Sequence, residues 1–364
     1  MRFSIALWKI AVVLCCAALA FAANPAGMIT GKAELKSAGP MAFGSDGILF
    51  VGDSAAAAVV ALDTGDRTPV RSSANLEIKA INEKIAALLG TAPDQILIQD
   101  VAVNPISKKV YVSVSRGRGP DAVPVILRAD ATGKLGELPL GNIPHSMVSL
   151  PDAPDPAVKD RRGQSLRVET ITDLAFVDGN VIVAGLSNEE FSSSLRSIPF
   201  PFREAAKPAG IEIFHGSHGR FETNAPVRTF VPFTIANQPH ILAAYTCTPL
   251  VKIPVAELKP GNKVKGTTIA ELGNRNRPLD MIVYRKDGKD HILMANSSRG
   301  VMKLPAERLD SYQPITAHTE KQGVPYETIA TLKGVQQLDK LDEARGVILT
   351  DEGGSMDLRT VALP

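Results

Sequence analysis

Six short runs of strand-type residues, at 48–53, 110–115, 181–186, 240–245, 291–296 and 347–352, constrain this chain more than any other feature. Each follows a turn and leads into a second apolar run, at 59–63, 125–129, 211–215, 250–254, 301–305 and 358–362. The fourth and fifth copies agree residue by residue: His240-Ile-Leu with Val251-Lys-Ile-Pro, and His291-Ile-Leu with Met302-Lys-Leu-Pro. A third run precedes each pair, at 40–43, 100–103, 173–176, 233–236, 280–283 and 337–340. Turns such as Asp46-Gly47, Asp178-Gly179 and Asp287-Gly288 join it to the next strand, glycine supplying the positive φ that tight hairpins require. Thr268 and Thr328 open fourth strands in the fourth and fifth units.

The sixth unit has no fourth strand, because the chain stops at Pro364. Residues 32–36, Lys-Ala-Glu-Leu-Lys, form an orphan strand able to fill the vacancy. Sealing a ring in this way removes the last open sheet edge. The expectation is an all-β six-bladed β-propeller of four-stranded blades, its N-terminal strand closing the last blade, with one short inserted helix. That helix falls within 76–89, where Ile78, Ile81, Ile85 and Leu88 recur at three- and four-residue spacing before Gly90. The alternative is an outer strand of the first unit at 76–79 followed by a shorter helix.

Residues 1–22 read as an export signal: Arg2 and Lys9, an apolar run from Ile10 to Ala20, and small residues at Ala20 and Ala22. The mature chain, 23–364, is then a single propeller domain in the periplasm or medium, without a membrane span and monomeric. The uncharged run is shorter than the roughly 20 residues of a bilayer helix. Leu14 before Cys15 argues against lipid attachment. Loss of Cys15 and Cys16 with the signal leaves Cys247 as the one thiol, so no intramolecular disulfide forms. Of 40 basic side chains, Arg2 and Lys9 leave with the signal, so 38 face 38 acidic ones. With aromatics at 5%, such a chain has neither the charge nor the stacking surface for nucleic acid.

The segment Gly39-Pro-Met-Ala-Phe-Gly-Ser-Asp-Gly-Ile-Leu-Phe-Val-Gly-Asp53-Ser resembles the blade motif of six-bladed propellers grouped with the NHL and gluconolactonase or strictosidine-synthase-like proteins. The resemblance covers the mature chain as a spaced pattern. It implies a ligand site over the central channel, often with a divalent cation, and in some members lactone or ester hydrolysis. The first inner strand here carries no glutamate, and no later one supplies an asparagine ligand.

Propeller loops that enter the inner strand and those between second and third strands share one face. Four insertions, 143–168 with His145, 188–209, 116–122 and 273–278, are assigned there, so that face is the expected binding surface. Asp100, Asp173, Asp280 and Gln337 align at its mouth. Three converging carboxylates repel one another unless a cation or an arginine neutralises them; calcium is the natural ion for oxygen ligands and Arg277 the protein counter-ion. The competing role is structural, each aspartate bonding backbone amides of the neighbouring blade.

His215-Gly-Ser-His218 is assigned to a hairpin turn on the opposite face, with no third ligand in the sequence, and reads as a solvated turn. His240 and His291 occupy equivalent positions and suggest packing. Serine-hydrolase, haem-attachment, P-loop and dinucleotide motifs are absent. Two functions follow. One is an exported scaffold that binds a protein or small ligand on the elaborated face, through Asp100, Asp173, Asp280, Gln337, Arg277 and His145. The other is a divalent-cation-dependent lactonase or esterase with Asp100, Asp173 and Asp280 as metal ligands.

Overall fold

The computed structural model describes residues 27–70, 75–247 and 249–364; the proposed signal at 1–22 lies outside them. The chain folds as a six-bladed β-propeller with one α-helix among the described residues. Numbered in chain order, the innermost strands of blades I to VI are Met41–Phe43, Ile96–Val103, Asp173–Val177, Thr229–Ile235, Pro278–Lys286 and Val335–Lys340. Each blade continues outward through antiparallel neighbours. Alternating side chains enter the gaps between blades. Six apolar clusters result, one in each gap: between blades II and VI, IV and V, III and IV, I and III, I and II, and V and VI.

Those gaps give a ring order II, I, III, IV, V, VI, so the first two blades are exchanged relative to the chain. Residues 41–63 build only three strands of blade I. The chain then returns past blade VI, forms blade II, and supplies the outer strand of blade I as Ile143–Ser149, paired with Ala58–Asp63. Residues 143–149 are therefore a strand where the sequence reading had a loop; Pro144, His145 and Ser146 interrupt its apolar alternation.

Ring closure follows the expected principle with a different segment. The outer strand of blade VI is Glu77–Ile78, with Ile78 opposite Leu358 and Glu77 opposite Arg359. The helix Ile81–Leu89 follows and packs Ile81, Ile85 and Ala86 into the gap between blades II and VI. Strand plus helix is thus correct for 76–89, but the strand belongs to the last blade.

Residues 32–36 run instead along the rim of blade I, where Ala33 N–H donates to Leu140 O at 2.8 Å. The preceding Ile29–Gly31 adds a fifth strand outside Ile143–Ser149. The buried Asp53 carboxylate pins this arm, accepting from Lys36 N (2.6 Å), Ser37 N (2.9 Å), Ser37 Oγ (2.8 Å) and Ala56 N (2.9 Å). Asp53→Ala orphans several of these donors and is expected to cost about 1–3 kcal/mol. Hydrogen exchange should quicken at Lys36 and Ser37 while the innermost strands stay protected; unchanged exchange there would refute the pinning role.

A further difference lies at 188–209. Ser193–Pro199 is the third strand of blade III, which makes Ala209–His215 its outer strand. Only Leu195 and Ile198 are large apolar residues in that third strand. Its buried Arg196 is accommodated by pairing with Asp152 and by donating to Ala206 O. Three serines and a buried arginine where apolar residues would mark a strand hid it.

Candidate functional site

The upper face carries the loops that enter inner strands and those between second and third strands. The long connection 150–172, the segment 187–192, and 117–122, 216–228 and 273–277 lie there. The lower face is also elaborated, by 200–208, 255–266 and part of 306–326, so loop length does not single out one surface.

At the axis, Asp100, Asp173 and Asp280 project from innermost strands, as their alignment implied, and Asp339 joins them as a fourth acid. Each uses its two oxygens in the same way. Oδ1 accepts the N–H of the next residue: Val101 (2.8 Å), Leu174 (2.7 Å), Met281 (2.7 Å) and Lys340 (2.6 Å). Oδ2 accepts an N–H from the next blade of the ring: Met41 (2.6 Å), Phe230 (2.7 Å), Leu338 (2.8 Å) and Val103 (2.6 Å). The carboxylates therefore act as clasps across four of the six gaps. Charge is nonetheless costly there. Desolvation pushes Asp173 up to about 7 and Asp339 to about 6. Desolvation and the facing acids hold Asp100 and Asp280 well above the usual carboxylate range.

Gln337 occupies the same register as Asp100 and Asp280, each directly after a β-bulge. Its Nε2 donates to Gln99 O at 3.2 Å. Asp339 was legible as the i+2 neighbour of Gln337 on the same strand face, a signal the alignment of single positions passed over.

Arg277 stands at the upper mouth, three residues before Asp280, with its backbone N–H on Ser297 Oγ at 2.9 Å. The residue is exposed, and among the described residues no carboxylate forms an ion pair with its guanidinium. Burial of part of the side chain and the like charge of Arg228 lower its pKa. Arg228 itself pairs with Glu169 and donates to Thr246 Oγ1 at 3.3 Å. Two arginines thus flank the mouth, with one carboxylate paired to Arg228 alone.

His145 is not with this group. It lies on the outer strand of blade I opposite Leu62 and Ile29, its Nδ1 bonded to Ile143 O at 2.9 Å. His240 and His291 are each the third residue of an equivalent second strand, opposite Pro254 and Pro305, which fits a packing role. His215 and His218 require a correction: they follow an outer strand, so their turn is on the upper face. There they meet Cys247, from the loop between the second and third strands of blade IV. The sequence puts them below because the run 211–215 looks like a third strand, whereas it belongs to the outer strand Ala209–His215.

No family model and no curated protein matches this sequence. Solved structures similar to it include a glucose dehydrogenase (11% identity, 92% of this chain and 100% of that chain, TM-score 0.38). The PQQ-bound aldose sugar dehydrogenase of Streptomyces coelicolor is similar at 12% identity, over 92% and 97% of the two chains, with a TM-score of 0.31. Drosophila Plexin A in complex with Semaphorin 1b is similar at 10% identity, over 92% and 87%, with a TM-score of 0.40.

Proposed function

We propose that the chain is an exported β-propeller binding scaffold whose ligand or protein partner presents an anionic group to the upper mouth of the channel. The observation that carries this reading is Arg277, an exposed residue beside Arg228 whose guanidinium has no carboxylate ion-pair partner among the described residues. Two guanidiniums against one carboxylate leave a fork of donors suited to a carboxylate or phosphate. Export is proposed from the apolar segment at 10–20 and the small residues at 20 and 22. The axial acids are assigned to the scaffold itself, because each already accepts two amides.

A thermal-shift panel of small carboxylates and phosphates tests the anion site. A ligand at 100 times its Kd stabilises by about 2.7 kcal/mol, and that shift should vanish in Arg277→Glu. Equal shifts in the variant, or none with the wild type, would sink the assignment. The second reading, a cation-dependent lactonase or esterase, would require some of the axial oxygens to exchange amides for calcium. Lactone turnover that a chelator abolishes and calcium restores would put the enzyme in place of the scaffold.

A further inference from the structure

The sharpest unexplained chemistry lies in the turn after the outer strand of blade III. His215 ends that strand, Gly216–His218 makes one tight turn, and Gly219 at φ 65° reverses the chain into Arg220–Glu222. The short hairpin brings the Glu222 carboxylate back under both imidazoles. Its Oε2 lies 2.8 Å from His215 Nδ1 and its Oε1 lies 2.7 Å from His218 Nδ1. Arg220 Nε adds a third donor at 3.1 Å. With imidazole and guanidinium groups against its two oxygens, the Glu222 carboxylate serves as the acceptor. Each ring then carries a proton on Nδ1, and the neutral imidazole offers its lone pair at Nε2.

The His215 Nε2 is buried and has no hydrogen-bond partner, although the residue is only 2% exposed. An unsatisfied buried acceptor of this kind costs about 1–3 kcal/mol. The two rings lie side by side, centroids 3.9 Å apart. A third donor completes the group: one ligand atom each from His215, His218 and Cys247 lie within 4.8 Å of one another. The Cys247 N–H is anchored to Asn276 O at 2.8 Å, with the residue at φ 63°, so the loop tip is held beside the histidines. Among the described residues this is the group of His, Cys, Asp and Glu side chains placed to hold a metal ion. His218, with 40% of its side chain exposed, leaves one side open to solvent.

We propose that His215, His218 and Cys247 bind one transition-metal ion through two Nε2 atoms and a thiolate, with Glu222 orienting both imidazoles from behind and one position left open. Metal-bound histidines usually give their other N–H to a carboxylate, and here one carboxylate serves two. A two-imidazole, one-thiolate set suits Zn(II) with a solvent ligand, or a trigonal copper site. Zinc bond lengths of about 2.0–2.3 Å require the donors to draw in by about 1 Å on binding. The inference does not rest on the anion-binding reading, and its test uses no organic ligand.

The mature chain, stripped with chelator and reloaded, should retain one Zn(II) per molecule after dialysis. Co(II) substitution should produce a thiolate-to-metal absorption band in the near ultraviolet. Cys247→Ser should abolish that band, and His218→Ala, at the exposed ligand, should lower retained zinc at an unchanged melting temperature of the metal-free protein. Glu222→Gln should weaken binding 10- to 100-fold. Should His215→Ala fail to fold, Cys247→Ser and His218→Ala still decide the matter. No thiolate band with Co(II), or zinc retention equal in wild type and Cys247→Ser, would overturn the site.

Discussion

Asp173→Ala is expected to destabilise the propeller by about 2–6 kcal/mol, because it strands the N–H groups of Phe230 and Leu174 in the gap between blades III and IV, each at about 1–3 kcal/mol. Asp173→Asn keeps one acceptor and should lose less than half of that. The pair also separates hydrogen bonding from charge. A carboxyl whose pKa is raised by folding keeps its proton longer in the native state. The stability it contributes is complete below its unfolded value near 4 and is lost as pH rises through the folded value. Asp173 and Asp339 place that loss between about pH 4 and 7, and Glu271, raised by burial to about 8, extends it upward. Glu222 and Asp66 act in the opposite sense, losing their contribution only as pH falls below the usual carboxylate range. Urea unfolding should therefore show greater stability at pH 5 than at pH 8, at about 1.4 kcal/mol per unit of raised pKa. The slope should be shallower in Asp173→Asn. A flat profile, or equal losses in the two variants, would remove the clasps from the account.

The second large effect concerns closure. Ile78 is 1% exposed and faces Leu358, itself fully buried, across the seam that joins residues from opposite ends of the chain. Ile78→Ala should cost about 2–5 kcal/mol through the cavity it leaves. Ile78→Asp should cost more, since it places an unpaired carboxylate between blades II and VI. A covalent check is independent of stability. In Glu77→Cys/Arg359→Cys the two thiols stand directly opposite on paired strands, and oxidation should give an intrachain disulfide that raises the melting temperature until reductant is added. If residues 32–36 held that edge, Ile78 would tolerate alanine and the cysteine pair would stay reduced.

The number of blades was legible because it is a local property. Hairpin turns at Asp46-Gly47, Asp178-Gly179 and Asp287-Gly288 and the paired apolar runs fix strand, turn and strand within about 20 residues. The acids at 100, 173 and 280 were legible for the same reason, since a repeat carries its inner positions with it. Their bonding was less so: the weighed alternative of amide clasps matches the observed contacts, and Asp339 needed only the period of two along its strand. The sequence could also state that the sixth blade lacked an outer strand and that an early segment would supply it.

Which segment does so was decided by packing. Outer strands are short, half-exposed and weakly patterned, as in Glu77–Ile78 and Ile143–Ser149, so nothing local marks their partners. Closure entropy grows only slowly with loop length, so a partner some 280 residues away costs little more than a near one. Burial of Ile78 and of the helix behind it between blades II and VI sets the choice, and with it the exchange of blades I and II. The meeting of His215, His218, Glu222 and Cys247 has the same origin. Three of the four lie on one hairpin, but that hairpin reaches Cys247 only because an outer strand of blade III ends beside a loop of blade IV, a proximity that side-chain spacing along the chain does not encode.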